Sequence, residues 1–235
     1  MQLDRRAFLR ASGLAALSAL AGCQTTATEV RQVTKPKPEP KAPEIQLASY
    51  DEIYGARPDE QFPLPAIPYK RIKPEFLRQW VDDPTGEKPG TLVVDVGNHF
   101  LYYTYPGGKA IRYGVGLGRA GFEWSGAGVI QYKRKWPRWT PPDSMVARQP
   151  HLARYSIANG GMDAGLDNPL GARALYIFQN GEDTLYRVHG SPEWWSIGKS
   201  VSSGCVRMIN HDIIDLYERV PSKTKIVVTN LAHSV

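Results

Sequence analysis

Short, mainly apolar runs bounded by turn residues recur through the second half of the chain, a pattern that predicts β-strands. The clearest runs are residues 91–96 and 100–105, both rich in β-branched and aromatic residues. Gly97 and Asn98 separate them and favour a tight turn, so the two runs predict a β-hairpin. Further strands are predicted over residues 110–117, 128–133, 174–178, 184–189 and 225–229.

One helix is predicted, and it begins at Asn210, a residue type that is favoured at helix N-caps. Apolar residues then recur at helical spacing until Pro221 ends the segment. This apolar stripe consists of Ile213, Ile214, Leu216, Tyr217 and Val220. Together these patterns predict a mostly-β domain over residues 90–230 with one notable helix.

The chain before residue 90 has a different composition. Residues 50–89 mix scattered large apolar side chains with several prolines, which predicts an irregular arm that packs on the domain, with a short helix over 74–81. Residues 24–49 are rich in Pro and Lys and poor in large apolar residues. They therefore predict a disordered tether of polyproline-II character.

Residues 1–23 have the composition of an export signal. Two adjacent arginines precede the uncharged run 11–22, which is shorter than the roughly 20 residues that a membrane-spanning helix needs. The paired arginines resemble a twin-arginine signal, and Leu20-Ala21-Gly22-Cys23 resembles a bacterial lipobox. We therefore expect Cys23 to carry a lipid and the mature protein to be a periplasmic lipoprotein, anchored to the outer membrane through this lipid alone. An ordinary secretory leader with a chance cysteine is the alternative.

The formal net charge of +6 falls to +4 without residues 1–22, since that segment holds three arginines and one aspartate. A mild positive excess suits a protein that works near an anionic polymer such as the cell wall, although an ordinary solvated surface has the same composition. No basic stripe lies on the predicted helix, so nucleic-acid binding is not expected. The five histidines lack the spacing of metal sites, and neither a metal nor a cofactor is expected.

Cys205 is the one cysteine besides Cys23, so no internal disulfide is expected in the mature protein. His189 ends a predicted strand sixteen residues before it. An imidazolium beside the thiol would lower the pKa of that thiol and raise the fraction of thiolate, the nucleophilic form. Gly204 permits a tight turn and a close approach of substrate. The helix predicted directly after this loop is expected to favour negative charge there through its N-terminal dipole.

The residues around both positions form a recognisable motif. His189-Gly190 is followed, after a spacer, by Ser202-Ser203-Gly204-Cys205-Val206-Arg207-Met208, with Asn210 two residues later. Supporting segments lie at 136–142, 167–175 and 212–217. Over about residues 90–230 the chain resembles the L,D-transpeptidase (YkuD) family.

The resemblance implies a β-sandwich-like domain with a cysteine nucleophile in a cleft. By this resemblance Cys205 is the nucleophile and His189 is the general base that also protonates the leaving amine. The backbone carbonyl of Gly190 would orient the histidine. Gly204 and Cys205 fall at the oxyanion-hole positions.

The resemblance also implies candidates for binding. Many relatives have Ser-His-Gly-Cys where this chain has Ser202-Ser203-Gly204-Cys205, so any role of that histidine is absent or passes to the Ser203 hydroxyl. An ion pair and a helix cap are the structural alternatives for two of the candidates, Arg207 and Asn210. The substrate-site candidates are Ser202, Arg207, Asn210, Trp194 and Trp195.

The implied reaction is transfer of an acyl group from a peptidoglycan tetrapeptide stem. The thiolate attacks the carbonyl at the L-centre of the third residue and D-alanine leaves. An amine then takes the acyl group, which gives 3→3 crosslinks or attaches an outer-membrane protein to the wall. An L,D-carboxypeptidase, or a hydrolase that releases wall-bound protein, would use the same cysteine and histidine. A non-catalytic wall-binding lipoprotein is a further alternative, although both Cys205 and His189 are present.

Overall fold

The computed structural model describes residues 41–118, 125–202, 204–229 and 231. Within these ranges the helices are α1 (Tyr50–Ile53), α2 (Asp143–Arg148) and α3 (Asn210–Arg219). Short 3₁₀ turns cover Tyr69–Arg71, Pro74–Phe76, Pro150–Tyr155, Ile157–Asn159 and Trp194–Ser196. The strands are β1 (Gln79–Asp82), β2 (Leu92–Asp95), β3 (Phe100–Tyr105), β4 (Lys109–Gly114), β5 (Leu117–Gly118), β6 (Gly126–Lys135), β7 (Arg173–Gln179), β8 (Glu182–Ser191), β9 (Ser200–Ser202), β10 (Val206–Ile209) and β11 (Thr224–Thr229).

Nine of these strands form one mixed sheet in the order β1-β4-β3-β2-β11-β6-β7-β8-β10. The pairs β2–β11 and β8–β10 are parallel and the other pairs are antiparallel. The remaining two, β5 and β9, pair in parallel with each other. The predicted hairpin is present as β2 and β3, with Leu92 opposite Tyr103. The prediction of a mostly-β fold with one notable helix is confirmed.

The core lies between the half of the sheet that contains β3 and β4 and the half that contains β7, β8 and β10. Leu101 and Ile111 from one half and Leu175 and Met208 from the other are fully buried in a single apolar cluster. The halves therefore face a common core in a sandwich-like manner. Alternation along each strand sends every second side chain to this core and the others to the opposite face.

Helix α3 packs on the core side of β7, β8 and β10. In its apolar stripe Ile213, Leu216 and Val220 are fully buried, and Ile214 and Tyr217 are partly buried. At its C-terminal end the Lys133 ammonium donates to the backbone oxygens of Tyr217 and Val220, at 2.5 and 2.6 Å. A cation there pairs with carbonyl groups that have no partner inside the helix, which fixes the end of α3 against β6.

The arm over residues 50–89 adds an edge strand, because β1 pairs antiparallel with β4. The helix expected over residues 74–81 is wrong: a 3₁₀ turn covers Pro74–Phe76 and β1 follows. Pairing with Ile111 in β4 and an edge-on contact with Tyr105, at 5.2 Å between ring centroids, hold Trp80 in the strand. Tertiary contacts override local helix propensity here.

The arm also carries its own apolar cluster, built on Ile53, Tyr54, Ile72 and Leu77, which covers Ile197 and Ile209 of the domain. Ile45 and Leu47, at the end of the predicted tether, already pack partly buried against the two clusters. The predicted leader, with Cys23, lies outside the described residues. No helix among the described residues is both long and apolar enough to cross a bilayer.

Candidate active site

Cys205 and His189 lie on neighbouring elements of the sheet. Strand β10 begins immediately after Cys205 and pairs in parallel with β8, which places Arg207 opposite His189. Since paired residues project to the same face and side chains alternate, Cys205, Arg207 and His189 share the face that points away from α3. Although β10 ends the sheet, Gly116 exchanges backbone hydrogen bonds of 2.8 and 2.9 Å with Arg207 along its outer edge.

His189 is 5 % exposed, and its Nδ1 lies 2.6 Å from the carbonyl oxygen of Gly190. A carbonyl can only accept, so Nδ1 carries the proton and donates it to Gly190. Burial lowers the pKa of the imidazole to about 4, and the nearby charges of Arg207 and Arg187 act in the same direction. The ring is therefore neutral near pH 7, with the lone pair on Nε2.

Cys205 is half-buried, with Sγ 4.0 Å from the backbone oxygen of Leu185. Burial raises the pKa of the thiol. A hydrogen bond from the backbone N–H of Arg187 and the positive charges of Arg187 and Arg207 act against this, since each stabilises the thiolate.

Two electrostatic expectations from the sequence are corrected by this geometry. The resting pair is a neutral thiol and a neutral imidazole, because burial disfavours the charged form of both groups. The dipole of α3 does not reach the thiol either. Cys205 and Asn210 are five residues apart along the extended strand β10, which is about 16 Å, whereas the dipole acts within about one turn.

Glycines make the close packing around both residues possible. Gly204 has φ +124°, and a Cβ there would lie 3.0 Å from the Tyr186 ring. At Gly190 a Cβ would lie 2.2 Å from Asn210 Oδ1 and 2.9 Å from Ile213. Any larger residue at position 190 would push the histidine-bearing strand away from α3.

Two substrate-site candidates are occupied by structural contacts. The guanidinium of Arg207 pairs with the Glu193 carboxylate, the ion-pair alternative that the sequence left open. The helix-cap alternative for Asn210 is wrong, because Asn210 is the first helical residue and has no capping bond. Its Oδ1 accepts a 2.9 Å bond from the backbone N–H of Ala172, so it joins α3 to the start of β7.

Comparison with known proteins identifies the family. The family described as "YkuD: L,D-transpeptidase catalytic domain" matches residues 89–228. The chain belongs to the L,D-transpeptidase (YkuD) family.

Relatives of this L,D-transpeptidase family member include two proteins of Escherichia coli (strain K12). "Probable L,D-transpeptidase ErfK/SrfK" is 32% identical over 163 residues, covering 68% of this chain and 47% of that protein. "Probable L,D-transpeptidase YbiS" is 36% identical over 141 residues, covering 57% and 43%. The chain thus spans less than half the length of these relatives.

A solved structure from Brucella melitensis, described as a probable carnitine operon oxidoreductase caia, is 46% identical. The matched region covers 69% of this chain and 99% of the Brucella melitensis chain. Its TM-score is 0.47.

The tryptophan candidates of this L,D-transpeptidase family domain follow β8. Trp194 is half-buried under the Arg71 guanidinium, 5.3 Å from the ring centroid, and Trp195 is 54% exposed. The two rings meet edge to face at 5.6 Å. Trp194 and Asn210 line one cleft of about 160 Å³; its other lining residues are Leu64, Pro65, Ala66, Ile67, Leu166, Ser191 and Pro192.

Ser203 lies outside the described residues, and Ser202 lies in β9 with its side chain undescribed. Among the described residues no group of three or more His, Cys, Asp or Glu side chains is placed to hold a metal ion.

Sequence reasoning missed Arg187 and Glu193. Arg187 lies two residues before His189 in β8, so strand alternation alone places both on one face. Glu193 pairs with Arg207, which lies fourteen residues further along the chain, and no local sequence pattern predicts this contact.

Proposed function

We propose that the chain is a peptidoglycan L,D-transpeptidase in which Cys205 is the nucleophile and His189 the general base. The observation that carries this proposal is the parallel β8–β10 pairing, which puts both residues on one face, with His189 oriented by the Gly190 carbonyl. The family supports the reaction class, and the donor is a tetrapeptide stem.

In the acylation step Sγ of Cys205 attacks the carbonyl carbon at the L-centre of the third stem residue. The thiol proton passes to Nε2 of His189, and the carbonyl oxygen becomes an oxyanion next to the backbone N–H groups of Gly204 and Cys205. The carbon–nitrogen bond then breaks, and D-alanine leaves with the proton from the imidazolium. A thioester remains on Cys205.

In the second step an acceptor amine attacks the thioester carbon and gives a proton to His189, and the amide forms as the thiol is restored. Water in place of the amine would give hydrolysis, the outcome of an L,D-carboxypeptidase. Because burial raises the pKa of the thiol and lowers that of the imidazole, proton transfer is unfavourable before substrate arrives. Transfer is therefore coupled to attack, when Arg187 and Arg207 stabilise the developing negative charge at sulfur.

The test uses the chain from residue 41 with a disaccharide-tetrapeptide, and mass spectrometry of the products. We expect loss of D-alanine together with a crosslinked dimer. Free tripeptide alone would identify a carboxypeptidase. Cys205→Ala and His189→Ala are expected to lower turnover at least 10³-fold, the order typical of nucleophile and base losses, without unfolding. Wild-type turnover in either variant would contradict the assigned roles.

We also propose that the chain is exported and lipid-anchored in the periplasm through Cys23. The lipobox-like Leu20-Ala21-Gly22-Cys23 supports this proposal. Labelling of cells with radioactive palmitate tests it, since Cys23→Ser should abolish the label and Cys205→Ser should not. Equal labelling of both variants would contradict it.

A further inference from the structure

The sheet face that carries His189 continues across β7 to β6. Register places Arg134 opposite Ala174, Ala174 opposite His189, and His189 opposite Arg207. Arg134 and His189 thus stand in one cross-strand row with a single methyl side chain between them. Two strand spacings separate their Cα atoms, about 10 Å.

The neighbouring row supplies an aromatic surface. Tyr132 is paired with Tyr176, and Tyr176 with Arg187, which directly precedes the first β8 residue that pairs with β10. The two tyrosine rings stack at 4.3 Å between centroids with an interplanar angle of 21°. The Arg187 guanidinium lies over Tyr176 at 4.4 Å and that of Arg134 over Tyr132 at 5.5 Å. We call Tyr132, Arg134, Tyr176 and Arg187 the arginine–tyrosine patch.

The two arginines of the patch differ in how their charge is balanced. Arg187 forms a bidentate pair with Asp183, at 2.7 and 2.8 Å, and its side chain is 13% exposed. Arg134 is exposed and makes no ion pair within the part of the chain that the structure describes. On the same face Arg207 is paired with Glu193. Arg134 is therefore the cation of this face whose donors remain available to a ligand.

We propose that the arginine–tyrosine patch binds the donor stem, with the Arg134 guanidinium donating hydrogen bonds to a free carboxylate of the stem and the tyrosine stack supporting its backbone. This rests on the proposed function. The complementarity is of charge and length. A stem attacked at Cys205 beside β10 extends over β8 and β7 to β6, which is three strand spacings, about 14 Å, or about four residues of extended chain. A planar guanidinium held over a ring presents its fork to a carboxylate. Arg134 is thus a specificity-determining residue for acidic stems.

The experiment compares wild type with Arg134→Gln on two donors, one with free stem carboxylates and one with the same carboxylates amidated. We expect Arg134→Gln to raise KM about tenfold for the free-carboxylate donor, with kcat within about twofold, and to leave KM for the amidated donor unchanged. Arg134→Lys keeps the charge but lacks the planar fork, so it should restore only part of the affinity. Equal KM values for wild type and Arg134→Gln on the free-carboxylate donor would overturn the proposal.

Arg112→Gln is the matched control, because Arg112 also lies over an aromatic ring of the sheet, 4.4 Å from Phe100, but in the distant strand β4. It should change neither KM value. The alkylation rate of Cys205 with iodoacetamide should be the same in wild type and Arg134→Gln. A fall in that rate would mean that Arg134 acts on the thiol or on the fold, and would also overturn the proposal.

Binding can be separated from turnover by titrating both donors into Cys205→Ala by calorimetry, with and without Arg134→Gln. If Arg134→Gln weakens binding of the free-carboxylate donor but not of the amidated donor, the result supports the patch. This holds even if wild type shows no turnover, a result that would contradict only the proposed function. Unchanged binding with normal wild-type turnover would sink only the patch.

Discussion

Two histidines, His189 and His211, are buried and held neutral. His211 is 1% exposed, and its Nε2 lies 2.7 Å from the carbonyl oxygen of Gly55 in the arm. Its Nδ1 is buried without a hydrogen-bond partner among the described residues, so a second proton on the ring would have no acceptor. Burial first, and then the charges of Arg57 and Arg78, lower the pKa of His211 to about 4.

This depressed pKa predicts a loss of stability in acid. An unfolded histidine has a pKa near 6.5, so its stabilising contribution is complete above about pH 6.5 and falls as the pH drops towards 4. For His211 the contribution is about 3 kcal/mol. We expect the free energy of unfolding of His211→Asn, measured in urea, to change less between pH 6.5 and 4 than that of wild type.

The exposed His151 offers the control, and His151→Gln should keep the wild-type pH dependence. If His211→Asn and wild type lose the same free energy of unfolding between pH 6.5 and 4, His211 is not held neutral.

For single residues, the sequence indicates which side chains can be reactive, but not which groups they contact in the fold. Residue type and spacing single out Cys205 and His189 as candidates, and the resemblance to the family implies their roles. Their pKa directions could not be predicted, because burial of both groups depends on strands that are distant in sequence. Asn210 failed as a predicted cap for a similar reason, since the N–H that it binds belongs to Ala172.

Among the elements, α3 is held from both sides. The sheet covers its apolar stripe, and the arm reaches its N-terminal turn through Arg78, whose Nε and Nη2 each lie 3.0 Å from Asp212 Oδ1. Arg78 Nη1 also lies 2.9 Å from Asp215, and the Tyr54 hydroxyl donates to Asp212 at 3.3 Å. Both Arg78 and Asp212 are buried, so neither has water as a replacement partner.

Removing Arg78 would leave the Asp212 carboxylate buried without its charge partner. We expect Arg78→Met to lower the free energy of unfolding by about 3–5 kcal/mol, with a smaller loss for Arg78→Lys. Urea denaturation followed by tryptophan fluorescence measures both. Lys73→Met is the control, since Lys73 pairs with Glu75 at 3.8 Å on the exposed surface and should contribute less than about 1 kcal/mol. A loss of under 1 kcal/mol in Arg78→Met would contradict this role.

The strands show which part of an element the sequence encodes. The runs of β-branched and aromatic residues in β2, β3, β7 and β11 are a strong local signal, and the predicted bounds of each strand lie within two residues of the observed ones. The strand β1 was not predicted, since Trp80 and its neighbours become a strand only by pairing with β4. The sheet order depends on the parallel pairing of β11 with β2, which joins positions more than 130 residues apart and has no local pattern.

The folded unit is larger than the segment that matches the family. The match begins at residue 89, yet Ile53, Tyr54, Ile72 and Leu77 bury their side chains against the domain from before that point. Each such side chain contributes about 1.5–3 kcal/mol, so together they rival the whole stability of an ordinary domain.

Comparison of two shortened chains tests this. We expect the chain that starts at residue 41 to unfold cooperatively in urea, and the chain that starts at residue 89 to lack a cooperative transition and a fixed near-ultraviolet circular dichroism signal. Equal midpoints for the two chains would show that the arm is dispensable for folding.

The backbone pairing of Gly116 with Arg207 has a stereochemical consequence. It occupies the outer edge of β10 beside Cys205, so an extended peptide cannot add itself there as a further strand. Such addition requires a run of residues of one hand, because D-residues favour the mirror-image regions of backbone conformation. Under the proposed function the substrate alternates L- and D-centres. Because the outer edge of β10 is closed, such a substrate would have to be recognised by side chains on the open face of the sheet. Side-chain contacts tolerate a chain of mixed handedness.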